Sequence, residues 1–130
     1  MGESIGICNG YFQNFNDAHR RYINECINRF NHVIVIINND VQQNIKYKNH
    51  KKIRKFNEIE YQIKKEFPTI TIMKSIDYDL TISATLKMIY LYYENTDNKL
   101  FFCKNKNMNI DDVDASKELK MEFIPFVESK

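Results

Sequence analysis

From His32 to Asn38 the chain reads HVIVIIN, with five consecutive β-branched residues at positions 33 to 37. An apolar run without alternation marks a strand covered on both faces, as in a parallel sheet. Such a strand needs helices above and below it, and the preceding residues supply the first partners. Ser4 to Cys8 reads as a short apolar strand, ended by the turn-forming pair Asn9-Gly10. Between Ala18 and Phe30, Tyr22, Ile23, Cys26, Ile27 and Phe30 recur at steps of three and four, which gives one apolar face of a helix. Asn16 or Asp17 is placed to cap that helix. Strand, helix and strand in this order imply a right-handed parallel unit.

The rest of the chain repeats the alternation. A helix is expected from about Lys51 to Phe67, with Ile53, Phe56, Ile59, Ile63 and Phe67 on its apolar side and Pro68 stopping it. Thr69 to Met73 is a third strand, Asp79 to Tyr93 a helix, and Leu100 to Cys103 a fourth strand. Asp111 to Leu119 is a short helix and Glu122 to Phe126 a last strand. The expectation is one α/β domain over residues 1–130, a Rossmann-like three-layer fold with a five-stranded parallel sheet in the order 3-2-1-4-5.

Composition removes several function classes. The formal net charge of +2 gives no strong field for nucleic acid or an anionic membrane. The charge is uneven, because KYKNHKKIRK from Lys46 to Lys55 holds six Lys or Arg and no acid. Cys8, Cys26 and Cys103 lie far apart without metal-ligand spacing, so no metal site is expected and the thiols read as buried or idle in a reducing compartment. The first ten residues, MGESIGICNG, lack the basic and apolar regions of a signal peptide and match the myristoylation pattern poorly. No apolar run is long enough to cross a membrane. A cytoplasmic protein is expected.

If the first strand is central, Gly10 to Asp17 lies at the carboxyl edge of the sheet and the next helix aims its amino end there. Free amides and the helix dipole at such an end attract phosphate. His19 would project into the same place as an N–H donor, or as a cation when protonated. The competing reading is a surface or helix-capping histidine. Lys46 and Lys48, after the second strand, would reach over the same region as mobile point charges.

The segment ICNGYFQNFNDAHRRYI, from Ile7 to Ile23, resembles the opening of the cytidylyltransferase-like nucleotidyltransferases: a strand, a G-x-F-D turn, then H-x-G-H leading into the first helix. Gly10 and Phe12 match the turn and His19 the second histidine, and RRYI is similar to the helix of glycerol-3-phosphate cytidylyltransferases. Asp40, Lys46 and Lys48 occupy the places of the family's Asp and K-x-K pair. LFFCKN and KELKMEF resemble the late strand and the short helix before the last strand. The resemblance implies transfer of a nucleoside monophosphate, CMP foremost, from CTP or ATP with Mg²⁺ to a small phosphorylated acceptor, releasing pyrophosphate. It further implies that His19, Lys46 and Asn16 act on the reacting phosphates, and that Gly10, Tyr11, Phe12, Asn16, His19 and Lys48 hold the nucleotide. A homodimer is implied as well, in line with Tyr90, Tyr92 and Tyr93.

The departures lie in the same motifs. Asn16 stands for the first histidine, Ala18 for the glycine and Gln13 for the acid; Lys104, Asn105, Lys106 and Asn107 replace K-G-G-D. After the last strand the sequence reads FVESK, where the family has an I-S-S-T-x-I-R-like element, and TISATLKMI at Thr81 to Ile89 lies too early and reads as helix. Three readings stay open: a compact transferase, a domain that binds a nucleotide or other phosphorylated ligand without transfer, and an interaction protein on the same fold.

Overall fold

The computed structural model describes residues 2–104, 112, 115, 117, 119 and 121–125. Its elements are β1 (Ser4–Gly10), α1 (Asp17–Arg29), β2 (His32–Ile37), α2 (Asp40–Lys46), α3 (Phe56–Glu66), β3 (Thr71–Lys74), α4 (Ser83–Tyr93), β4 (Lys99–Lys104) and β5 (Glu122–Pro125). All strand pairings are parallel. β2 lies between β1 and β3, β4 pairs with the other edge of β1, and β5 pairs with β4, giving β3-β2-β1-β4-β5.

The uninterrupted apolar run of β2 explains its interior place in the sheet. Val33, Val35 and Ile37 face one way, into a core with Tyr22, Ile23 and Cys26 of α1 and Phe56, Ile59 and Ile63 of α3. Ile34 and Ile36 face the other way, into a core with Ile82 and with Leu86 and Ile89 of α4. The period of two along the strand thus divides the side chains between two helical layers. Gly6 serves the first layer through its missing side chain, since a Cβ there would sit 2.3 Å from the Phe30 ring. Arg20 fastens α1 to α3 by donating to Glu66 at 2.7 and 3.3 Å, while also pairing with Asp17.

Several boundaries differ from the sequence expectation. β1 does not stop at Cys8: Asn9 and Gly10 stay in register opposite Ile36 and Ile37, and Asn9 Nδ2 donates to the Ile36 carbonyl at 2.9 Å. The strand lengthens because its neighbour does. A helix, α2, which the sequence reading did not expect, stands between β2 and the basic segment, and α3 begins at Phe56 rather than Lys51. Its start is fixed by Asp40, whose Oδ1 accepts from the Phe56 amide at 2.7 Å. α4 begins at Ser83 rather than Asp79 because Asp77 takes the amides of Ala84 and Thr85, at 2.8 and 3.1 Å. The TISATLKMI segment is helical from Ser83, as read. The helix expected over 111–119 falls mostly outside the described residues; Asp112, Ala115 and Lys117 are helical. Asn105, Lys106, Asn107 and the FVESK segment from Phe126 also lie outside them.

Candidate phosphate-binding site at the carboxyl edge

β1 delivers the chain to the carboxyl edge at Gly10, and the loop to α1 is built on aromatic packing. Phe12 sits at φ 56°, a left-handed conformation uncommon for a residue with a Cβ. Its buried ring folds back over Gly10, where an added Cβ would lie 2.6 Å from the ring. The His19 ring meets Phe12 edge-on at 5.1 Å and stacks on Phe15 at 5.7 Å with 20° between the planes.

Asn16 is the residue that caps α1. Its side chain accepts from the amides of Ala18 and His19, at 3.0 and 3.3 Å, and its own amide donates to His19 Nδ1 at 3.1 Å. This is a reciprocal capping box with histidine in the position usual for Glu or Gln. Because Nδ1 accepts, the neutral ring carries its proton on Nε2. The helix-capping reading of His19 is the one the hydrogen bonds show, and the cap leaves the N–H of the neutral ring on Nε2.

A dense set of amides joins this loop to the elements that follow β2. Gln43, fully buried, donates to the carbonyls of Tyr11 and Asn38 at 2.9 and 3.1 Å and accepts from Gln13 at 2.9 Å. Gln13 also clasps the backbone of Arg54, donating to its carbonyl at 2.7 Å and accepting from its amide at 2.9 Å. Asn39 caps α2 by accepting from the Gln42 amide and donates to the carbonyls of Ser75 and Asp77. Between the loop and the basic segment lies a cleft of about 450 Å³, lined by Gln13, Asn14, Tyr47, His50, Lys52 and Arg54. His50, Lys52 and Arg54 alternate in non-helical chain, and Lys52 and Arg54 bring positive charge to one wall. A second cavity, about 300 Å³, opens at the far end of the sheet near Lys99, away from this loop.

The two lysines singled out from the sequence part company: Lys48 lies exposed in the turn after α2 and does not line the cleft, whereas Lys46 reaches the Gly10–Asp17 loop. Lys46 lays its ammonium over the Tyr11 ring at 4.1 Å, and the resulting burial lowers its pKa. Asp40 is spent on the start of α3. The Tyr11 hydroxyl is buried and has no hydrogen-bond partner among the described residues. Burial foremost, then the negative charges of Asp112, Tyr47 and Asp79, push its pKa up to about 12, so it remains a donor at neutral pH.

Among the described residues no group of three or more His, Cys, Asp and Glu side chains is placed to hold a metal ion. The loop itself offers amides at Gln13 and Asn16 where carboxylates would be needed. A Mg²⁺ ion accordingly fits here only as part of a metal–triphosphate, bound through phosphate oxygens and water.

Comparison of the whole chain with solved structures identifies the company this fold keeps. A bifunctional NMN adenylyltransferase/ADP ribose pyrophosphatase from Francisella tularensis, complexed with AMP and Mn ion, superimposes with a TM-score of 0.72 and 18% identity. The fold is shared with part of that bifunctional enzyme. The match covers 98% of this chain but 38% of that one, so the chain spans well under half of the bifunctional enzyme. NadR protein in complex with NAD and AMP-PNP gives a TM-score of 0.58 at 14% identity, covering 98% of this chain and 38% of that one. A lipopolysaccharide core biosynthesis protein from Thermoplasma volcanium GSS1 gives 0.62 at 11% identity, covering 99% of this chain and 100% of that one. No family model and no curated protein matches the sequence. The neighbours named for an activity are adenylyltransferases, so the resemblance to glycerol-3-phosphate cytidylyltransferase gains nothing from them. No helix is long and apolar enough to cross a membrane among the described residues.

Proposed function

We propose that this domain binds a nucleoside triphosphate at the Gly10–Asp17 loop and transfers its nucleoside monophosphate to a phosphorylated acceptor, releasing pyrophosphate. The observation that carries the reading is the Asn16–His19 capping box, which fixes an imidazole N–H donor at the amino end of α1, beside the strand end where phosphate is attracted. An acceptor oxygen would form a bond to the α-phosphorus while the bond to the pyrophosphate oxygen breaks, with charge spreading over the phosphate oxygens. The protein needs to align these groups and stabilise that charge. His19 and the amides near Phe12 would face the triphosphate. His50, Lys52 and Arg54 would hold the acceptor's anionic group in the adjoining cleft, in the role first assigned to Lys46 and Lys48.

The sequence resemblance favours CTP, and the names of the structural neighbours favour ATP. Titration with each in the presence of Mg²⁺, followed by pyrophosphate release against a panel of phosphorylated alcohols, sugars and nucleosides, separates them. Replacing His19 by Ala is expected to lower kcat by about 10²- to 10³-fold, the usual effect of removing one preorganised donor. The folded far-UV spectrum should be kept, and retention of full turnover would remove His19 from the mechanism.

A second reading, binding without transfer, is favoured by how Asn16 and Gln13 are engaged. The side-chain oxygen of Asn16 is committed to the helix cap and Gln13 to Arg54 and Gln43, so neither position provides the charge that the resemblance implies. Nucleotide affinity without pyrophosphate release on any acceptor would select this reading. We also retain the homodimer as a proposal. Leu91 and Tyr92 are 54% and 77% exposed on α4, with Met88 one turn earlier on the same helix.

A further inference from the structure

The three cysteines, which the proposed reaction does not use, are far apart in sequence yet meet in one place. Cys8 comes from β1, Cys26 from α1 and Cys103 from β4, and all three side chains are free and fully buried. Cys8 Sγ donates to Cys26 Sγ at 2.8 Å, while Cys103 Sγ donates weakly to the Phe101 carbonyl at 3.9 Å. Tyr22 closes the cluster on one side, its hydroxyl donating to the Cys103 carbonyl at 2.7 Å and accepting from the Asn9 amide at 3.2 Å. An idle core cysteine packs against carbon; here the sulfurs of Cys8 and Cys26 lie in contact. The chain from Cys8 to Cys26 contains the whole of Gly10–Asp17.

We propose that Cys8 and Cys26 form a dithiol that a hydroperoxide closes to a disulfide, enclosing the phosphate loop in a covalent ring. Burial foremost pushes the pKa of both up, so both react as thiols. One thiol of the pair attacks a peroxide oxygen, the O–O bond breaks, and a sulfenic acid and one water result, the water taking the thiol proton. The other thiol attacks the sulfenic sulfur, the disulfide forms, and the sulfenic oxygen leaves as a second water with that thiol's proton. The sum is two thiols and one peroxide giving one disulfide and two waters.

The test treats the native protein with hydrogen peroxide, quenches with an alkylating agent in denaturant, counts thiols and maps peptides without reduction. The expected result is a fall from three thiols to one, a Cys8–Cys26 cross-link, and recovery of all three thiols on adding dithiothreitol. Cleavage within the loop should leave the two fragments joined until reduction. Cys103→Ala should keep the Cys8–Cys26 cross-link, whereas Cys8→Ala should keep both of its remaining thiols. Three thiols surviving peroxide, or sulfinic acid in place of a disulfide, would overturn the proposal. A cross-link to Cys103 in place of Cys8–Cys26 would also overturn it.

Discussion

At the residue scale, the site depends on a few positions where the chemistry allows little choice. Gly10 is one, because the Phe12 ring occupies the space of a side chain there. Gly10→Ala should cost about 1–3 kcal/mol, the usual range for overpacking, measured as a lower urea midpoint. It should also weaken triphosphate binding, since Phe12 supports the His19 ring. Tyr11 sets a second expectation, in pH. Its folded-state pKa of about 12 exceeds the ordinary value of 10, so the protonated phenol is favoured by the fold. That contribution is present in full below pH 10 and is lost as the pH rises from 10 to 12. Tyr11→Phe should therefore show a shallower fall of melting temperature across that window than the unaltered protein; a residual fall is expected because Tyr22 is shifted upward by burial too. Identical slopes for the two proteins would show that the Tyr11 hydroxyl is not held protonated by its surroundings.

At the element scale, side-chain caps set where the helices begin at the carboxyl edge. Asn16 caps α1, Asn39 caps α2, Asp40 receives the first amide of α3 and Asp77 receives two amides of α4 together with the Thr85 hydroxyl. Asp77 is nearly inaccessible, so its removal leaves buried donors without partners. Asp77→Ala should lower stability by about 2 kcal/mol or more by urea denaturation. The cap on α1 was legible in advance, since Asn16 and Asp17 stand immediately before a periodic apolar face. The cap on α4 was not, because Asp77 lies six residues ahead of Ser83 and reaches the helix only after Ile76 and Tyr78 turn the chain. α2 escaped notice for a related reason. Seven residues with two exposed apolar side chains, Val41 and Ile45, and two buried amides, Gln42 and Gln43, invert the usual pattern of a surface helix.

For the whole molecule, two helical layers on a parallel sheet leave α4 with apolar residues on both sides. Ile82, Leu86 and Ile89 are buried against the sheet while Leu91 and Tyr92 face outward. If that outer face joins two copies, Leu91→Glu should convert a dimer to a monomer in sedimentation analysis without loss of helical signal. A monomer at micromolar concentration in the unaltered protein would remove the dimer proposal.

The sequence by itself determined the layer pattern. Residues that alternate between two cores, as in HVIVII, and residues spaced three and four apart, as in Tyr22, Ile23 and Cys26, report local geometry directly, and local geometry orders the strands of an α/β fold. It also marked the Gly10 loop and His19, which lie together within ten residues. Only the tertiary structure decided which charges and amides complete the site. Gln13 meets Gln43 and Arg54 across 30 and 41 residues, and Lys46 turns to Tyr11 while His50, Lys52 and Arg54 take the cleft. Polar side chains carry no periodic signal of the partner they will find, because hydrogen bonds are satisfied by whichever group the fold brings within about 3 Å. The cysteines entered one core for the same reason: parallel pairing set β1 beside β4, and α1 packed over β1.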